Sequence, residues 1–209
     1  MKYFSLVILF VLLSCGNKED ILLPKSNVTI VSNVVDHSPI YIFFRTKGKD
    51  TLAEVNRKNS IISTNWILNI DKRLPLRLVI PEVMKLQEKK RNSAHKNELA
   101  ENYYSYADSI GKNMAFLPFT KVYYKMEKPS EEVLVFHFKK GNDTVLLNGS
   151  KVRKKDLIKT FYRIKYEVIP QVAFLFDKNM SYEEYIQTKI LLENFKAYAV
   201  DNFPVEFVY

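Results

Sequence analysis

Cysteine is almost missing from this sequence: Cys15 is the only one in 209 residues. No intramolecular disulfide can form, which excludes the small folds stapled by such bridges. Glycine is scarce, at 5 residues, and there is neither a phosphate-cradling Gly-rich loop nor a Gly-x-Ser-x-Gly nucleophile elbow. The histidines are His37, His95 and His137, far apart and in unlike contexts. None belongs to a His-x-x-x-His or His-Glu-x-x-His pair, so no metal and no cofactor are expected. No apolar run reaches the roughly 20 residues that a membrane-spanning helix needs. The usual nucleic-acid-binding motifs are absent too, and nucleic acid is not expected as a partner.

What is present is the composition of a folded body. Apolar residues make up 47% of the chain, with 13 Tyr and 14 Phe, enough to bury a core. The net charge is +9, carried mostly by Lys, and suits either a well-solvated surface or contact with an anionic one.

The N-terminus has its own pattern. Lys2 precedes an apolar run, Tyr3 to Leu13, followed by Leu12-Leu13-Ser14-Cys15-Gly16. A short apolar run behind a positive start is an export signal rather than a span. The segment resembles the lipobox of bacterial lipoproteins. That resemblance implies a signal peptide over residues 1–14, cleavage before Cys15, and acyl chains on Cys15 that hold the protein to a membrane; two or three chains anchor stably where one is marginal. Residues 15–27 then form a tether. Lys18-Glu19-Asp20 is similar to the surface-export tag of Bacteroidetes lipoproteins, and the absence of Asp immediately after Cys15 favours the outer membrane, on its periplasmic or its outer face.

Beyond the tether the pattern predicts an α+β fold in two halves, residues 28–128 and 129–209. In the first half, Val28–Val31, Ile40–Phe44 and Leu76–Ile80 are expected to be strands. Lys47-Gly48-Lys49-Asp50 should be a turn, and Ile61–Ile70, with the lone Trp66, another apolar segment. Glu82 to Gly111 reads as a long helix or two helices broken near Asn92-Ser93, with Tyr103, Tyr104, Tyr106 and Ile110 in its last turns and Gly111 as C-cap. Ala115–Tyr124 returns to strand. Lys89-Lys90-Arg91 is either the wet face of a helix or a contact for anionic polymer or lipid.

The second half reads as strand Val133–Lys139, strand Asp143–Leu147, an Asn148-Gly149 hairpin turn, a helix from Asp156 to Tyr166, a buried strand Val172–Phe176, a helix opened by a Ser181/Glu184 capping box, and strand Val205–Val208. The expected result is a small sheet with two helices on one face. Phe43–Thr51 echoes Phe136–Thr144, each an apolar strand entering a Lys-Gly-x-Asp-Thr turn; a duplicated fold and a coincidence between hairpins both explain this, coincidence being the simpler.

The run Thr144-Val145-Leu146-Leu147-Asn148-Gly149, then Val152 and Leu157, then Val172-Ala173-Phe174-Leu175-Phe176-Asp177-Lys178, then Tyr182 and Tyr185, resembles the periplasmic domain of ExbD and TolR. The resemblance covers residues 133–209. It implies that family's fold, dimerisation, and contact with an envelope protein partner or peptidoglycan. It marks Asn148, Gly149, Asp177 and Tyr182 as candidate binding positions, although turn chemistry, loop capping and core packing also account for them. The family's proton-carrying Asp in a transmembrane helix has no counterpart, so proton conduction is not implied.

Glu183-Glu184 and Glu131-Glu132 are sequence neighbours whose side chains diverge on a helix. With Cys15 lipidated, no cysteine nucleophile remains. The sequence therefore points to a lipid-anchored binding or scaffolding module of the cell envelope rather than an enzyme. It could serve as an accessory to an ExbD/TolR-type transport system; the alternative is an enzyme or small-ligand carrier with a pocket between the halves.

Overall fold

The computed structural model describes residues 20–130, 133–157, 159, 160, 172–196 and 205–209. The expected signal peptide, Cys15, Glu131-Glu132 and most of the helix expected from Asp156 lie outside them; Lys154–Asp156 form one 3₁₀ turn. Among the described residues the fold is α+β, mostly strand, with two sheets and two full helices.

The strands are β1 (Lys25–Ser26), β2 (His37–Lys47), β3 (Asp50–Asn56), β4 (Asn65–Ile70), β5 (Asn102–Asp108), β6 (Asn113–Pro118), β7 (Tyr123–Lys125), β8 (Leu134–Phe138), β9 (Thr144–Leu147), β10 (Ser150–Arg153), β11 (Val172–Phe176) and β12 (Val205–Val208); helix α1 is Leu76–Arg91 and α2 is Tyr182–Lys196. The first sheet runs β3-β2-β4-β5-β1, with β6 added to β5, and the second runs β9-β8-β11-β12-β7, with β10 added to β9. In both, a hairpin leads to a parallel strand, a helix and another parallel strand, and a short strand from just before the hairpin pairs parallel with that last strand. The two halves thus share one topology. The hairpins that echo each other in sequence are equivalent in space, and both turns use a Gly in the left-handed region, Gly48 at φ 62° and Gly141 at φ 66°. The register differs slightly from the echo: Ile42 and Phe138, which lie opposite Ile70 and Phe176, are the matched positions. β7, at Tyr123–Lys125, belongs to the second sheet.

Alternation builds the core. Ile40 and Ile42, Leu68 and Ile70, Tyr104 and Tyr106, Phe136 and Phe138, and Phe174 and Phe176 all turn inward and are buried, as a period of two requires. α1 touches β3 of its own sheet and β7 and β12 of the other, while α2 touches α1 and β1. The helices are held between the sheets, and one continuous core spans both halves.

Three expectations for the first half are corrected. Leu76–Ile80 is not a strand but the first turns of α1, with Pro81 inside the helix; its buried residues Leu76, Val79, Ile80, Val83, Leu86, Gln87 and Lys90 recur at helical spacing. The helix ends at Arg91, with Asn92 as its C-cap, and Tyr103, Tyr104 and Tyr106 belong to strand β5, where aromatics pack well. Gly111 is no helix cap: it lies in the β5–β6 turn, where a Cβ would collide with the side chains of Asn113 and Asp108. Val28–Val31 is not a strand, because the Tyr106 hydroxyl claims its backbone: it donates to Val28 O (2.9 Å) and accepts from Ile30 N–H (2.9 Å). Only Val31 bridges to a strand residue, Phe116.

In the second half the Asn148-Gly149 turn forms as read. Both residues have positive φ, 44° and 86°, and Leu147 pairs with Ser150 across it, the geometry of a two-residue I′ hairpin. The capping box also forms: Glu184 N–H donates to Ser181 Oγ (3.2 Å) and Ser181 N–H to Glu184 Oε2 (3.2 Å).

Candidate functional site

The loops that follow β4 and β11 meet across a local two-fold relation. Leu76 N–H donates to Met180 O (3.0 Å) and Tyr182 N–H to Leu74 O (2.8 Å), while Arg77 N–H donates to Lys178 O (2.8 Å) and Glu183 N–H to Lys72 O (3.1 Å). Each residue is matched to its counterpart in the other half by one constant interval in sequence. The aspartates that open the loops behave alike: Asp71 Oδ1 accepts Arg73 N–H (3.0 Å) and Asp177 Oδ1 accepts Asn179 N–H (2.8 Å), turns that an Asp side chain is shaped to close.

Behind this crossing lies a buried polar chain. The hydroxyls of Tyr104 and Tyr124 are 2.8 Å apart and those of Tyr124 and Tyr185 are 3.1 Å apart; Tyr185 then donates to Glu206 Oε2 at 2.7 Å. Lys189 Nζ bonds Glu206 Oε1. Phe119 stacks on Tyr104 at 3.8 Å. Tyr104, Tyr182, Tyr185 and Glu206 are fully buried, and Lys189 and Tyr124 nearly so. Burial pushes all four tyrosine hydroxyls well up, and the nearby Glu206 carboxylate adds to this for Tyr124 and Tyr185. They stay neutral, and Tyr185, backed by the Tyr124 and Tyr104 hydroxyls, donates to the one buried carboxylate. The arrangement locks strand, helix and both halves together, and with every member buried it presents no group to a substrate.

The candidate binding positions do not converge. Asn148 and Gly149 sit at the exposed β9–β10 tip, where Asn148 Oδ1 accepts Val135 N–H (2.9 Å) at the start of β8. Asp177 lies at the other end of β8, beyond the Phe138–Phe176 pair, roughly 13 Å along the strand. Tyr182 is fully buried, and its hydroxyl is the one buried side-chain polar atom among the described residues that lacks a hydrogen-bond partner. These four positions serve turn, loop closure and core. Among the described residues no three His, Cys, Asp or Glu side chains gather as a metal-holding group, and no helix is long and apolar enough to cross a membrane.

Lys89-Lys90-Arg91 does not act as one charged face. Lys90 is buried, donating to Thr64 O (2.9 Å), Glu101 O (3.3 Å) and Asn102 Oδ1 (2.9 Å), with Trp66 at 4.9 Å. Burial pushes its ammonium down to about 8. Arg91 Nη2 donates to Thr120 O and Val122 O, both at 3.1 Å, and its guanidinium stacks over Tyr123 at 4.0 Å. Only Lys89 is left exposed. These cations pin the end of α1 to the loops around it. Lys90 falls on the buried stripe of the helix, and that periodicity is the signal that distinguishes it from its neighbours.

A further candidate among the described residues is a groove of about 210 Å³ lined by Val55, Arg57, Glu82, Lys85 and Leu86, between the end of β3 and α1. It had no signal in the sequence, since its two walls lie in separate elements. Comparison with family models, curated proteins and solved structures returns no match for this chain.

Proposed function

We propose that this protein is a lipid-anchored component of the bacterial cell envelope, held by acyl groups on Cys15, whose folded body binds or scaffolds another envelope protein. The lipobox-like run Leu12 to Gly16 supports the anchor. The observation that carries the binding reading is the edge of the first sheet: β3 ends the strand order with a neighbour on one side only, and an open edge is a template for a partner's strand. The Thr144–Tyr185 resemblance to ExbD and TolR points to an accessory place beside a transport or energy-transduction system of that kind, without proton conduction. Outer-membrane attachment fits the absence of Asp immediately after Cys15. A pocket between the halves has less support, because Tyr104, Tyr124, Tyr182 and Tyr185 fill that junction.

Metabolic labelling with an alkynyl fatty acid tests the anchor: the native chain takes label and Cys15→Ala does not. Label on Cys15→Ala refutes it. Crosslinking in the native cells tests the partner: adducts with ExbD-, TolR- or TonB-type proteins support the accessory role, and adducts with lipid and bulk porins alone remove it.

A further inference from the structure

The β3 edge and the groove beside it form one surface. β3 is seven residues long and contains no Pro or Lys, residues that commonly blunt an edge, and its mid-strand charge, Glu54, is bonded by Arg45 Nε at 2.6 Å. Its side chains alternate: Leu52 and Glu54 point outward, while Ala53 and Val55 are half-buried and pack against the core. A strand added to this edge would lie about 4.8 Å away and place every second side chain on the Ala53–Val55 side. That side is where the groove lies. At about 210 Å³ it falls below the 300–1,000 Å³ typical of small-molecule sites and has room for one or two side chains. Val55 and the buried Leu86 give it an aliphatic floor. Arg57 and Lys85 give it a cationic rim, where the one acid, Glu82, is bonded by Lys85 Nζ at 2.7 Å.

We infer that β3 and this groove together bind an extended peptide as an added strand, with an aliphatic side chain in the groove and, two residues along on the same face, an acidic side chain against Arg57 and Lys85. The inference rests on the reading of this protein as a binding module and names the chemistry of its partner. Main-chain bonds to β3 supply affinity, and the groove supplies selection for an aliphatic and an acidic residue spaced two apart.

The test uses the chain carrying Cys15→Ser, so that membrane attachment plays no part. The probe is a fluorescein-labelled Thr-Thr-Val-Thr-Glu-Thr-Thr amide, which carries its Val and Glu on one face of the strand, followed by anisotropy. Binding should fall about tenfold in the exposed-site double variant Arg57→Glu/Lys85→Glu and weaken as salt is raised. Hydrogen exchange should slow at β3 amides when the peptide is bound. The inference is overturned by no binding, by equal binding of a probe with Lys in place of Glu or with a central Pro, by indifference to the double variant, or by protection confined to elements other than β3. Because the Cys15 labelling assay is separate, failure here leaves the anchor standing, and failure there leaves the peptide site standing.

Discussion

Replacing Lys189 with methionine is expected to destabilise both halves of the molecule, although Lys189 lies in only one. Its side chain is 3% exposed and that of Glu206 is 0% exposed. Methionine keeps most of the packing volume but leaves the Glu206 carboxylate with Tyr185 as its one remaining partner among the described residues. Breaking one side of a buried pair costs about 3–5 kcal/mol, a large share of a total near 5–15 kcal/mol. For a chain of this size the urea slope is roughly 2–3 kcal/mol per molar, so the midpoint should fall by about 1–2 M. Circular dichroism reads the whole fold, while Trp66, the only tryptophan and 1% exposed, reads the first sheet. With one continuous core, both signals should shift together. Lys189→Met/Glu206→Met should recover more than half of the loss, since an apolar pair removes the stranded charge. The reasoning fails if Lys189→Met costs under about 1 kcal/mol, if the Trp66 transition stays in place, or if the double variant loses the sum of the singles.

Two further outcomes follow from buried polar groups. Tyr182→Phe deletes a buried hydroxyl that has no partner, and should raise stability by about 1 kcal/mol in a thermal melt; a loss of that size would mean the hydroxyl is satisfied after all. Lys90 has a folded value of about 8 against an ordinary 10.5, so between those values the unfolded chain holds the extra proton. Stability from this group therefore rises with pH through that window, on the order of 2 kcal/mol. The difference in urea stability between native protein and Lys90→Met, measured from pH 7 to 10, should show that rise; a flat difference would refute it.

The second half was the more legible in sequence. Asn148-Gly149, the Ser181/Glu184 box and the apolar run Val172–Phe176 are local signals: positive φ, a three-residue reciprocal bond and continuous burial each need only a few adjacent residues. The first half misled where local propensity competed with tertiary context. Pro81 reads as the end of a strand, yet it sits inside a helix fixed by its buried stripe. The tyrosines of β5 follow a polar segment and read as its helical end, yet pairing with β4 and β6 makes them strand. Lys90 and Arg91 read as one charged cluster, yet rotation about the helix axis buries the first and stacks the second on Tyr123.

By itself the sequence determined the α+β class, the hairpin turns, the capping box and the positions of the buried strands in the second half, because those depend on residue type and short-range periodicity. Only the tertiary structure decided that the halves repeat one topology, that Tyr104, Tyr124, Tyr185, Lys189 and Glu206 form one network, and that the β3 edge adjoins an aliphatic groove on α1. Those features join residues far apart in the chain. Their geometry is set by strand pairing and by the packing of two helices between two sheets, which no local window of sequence contains.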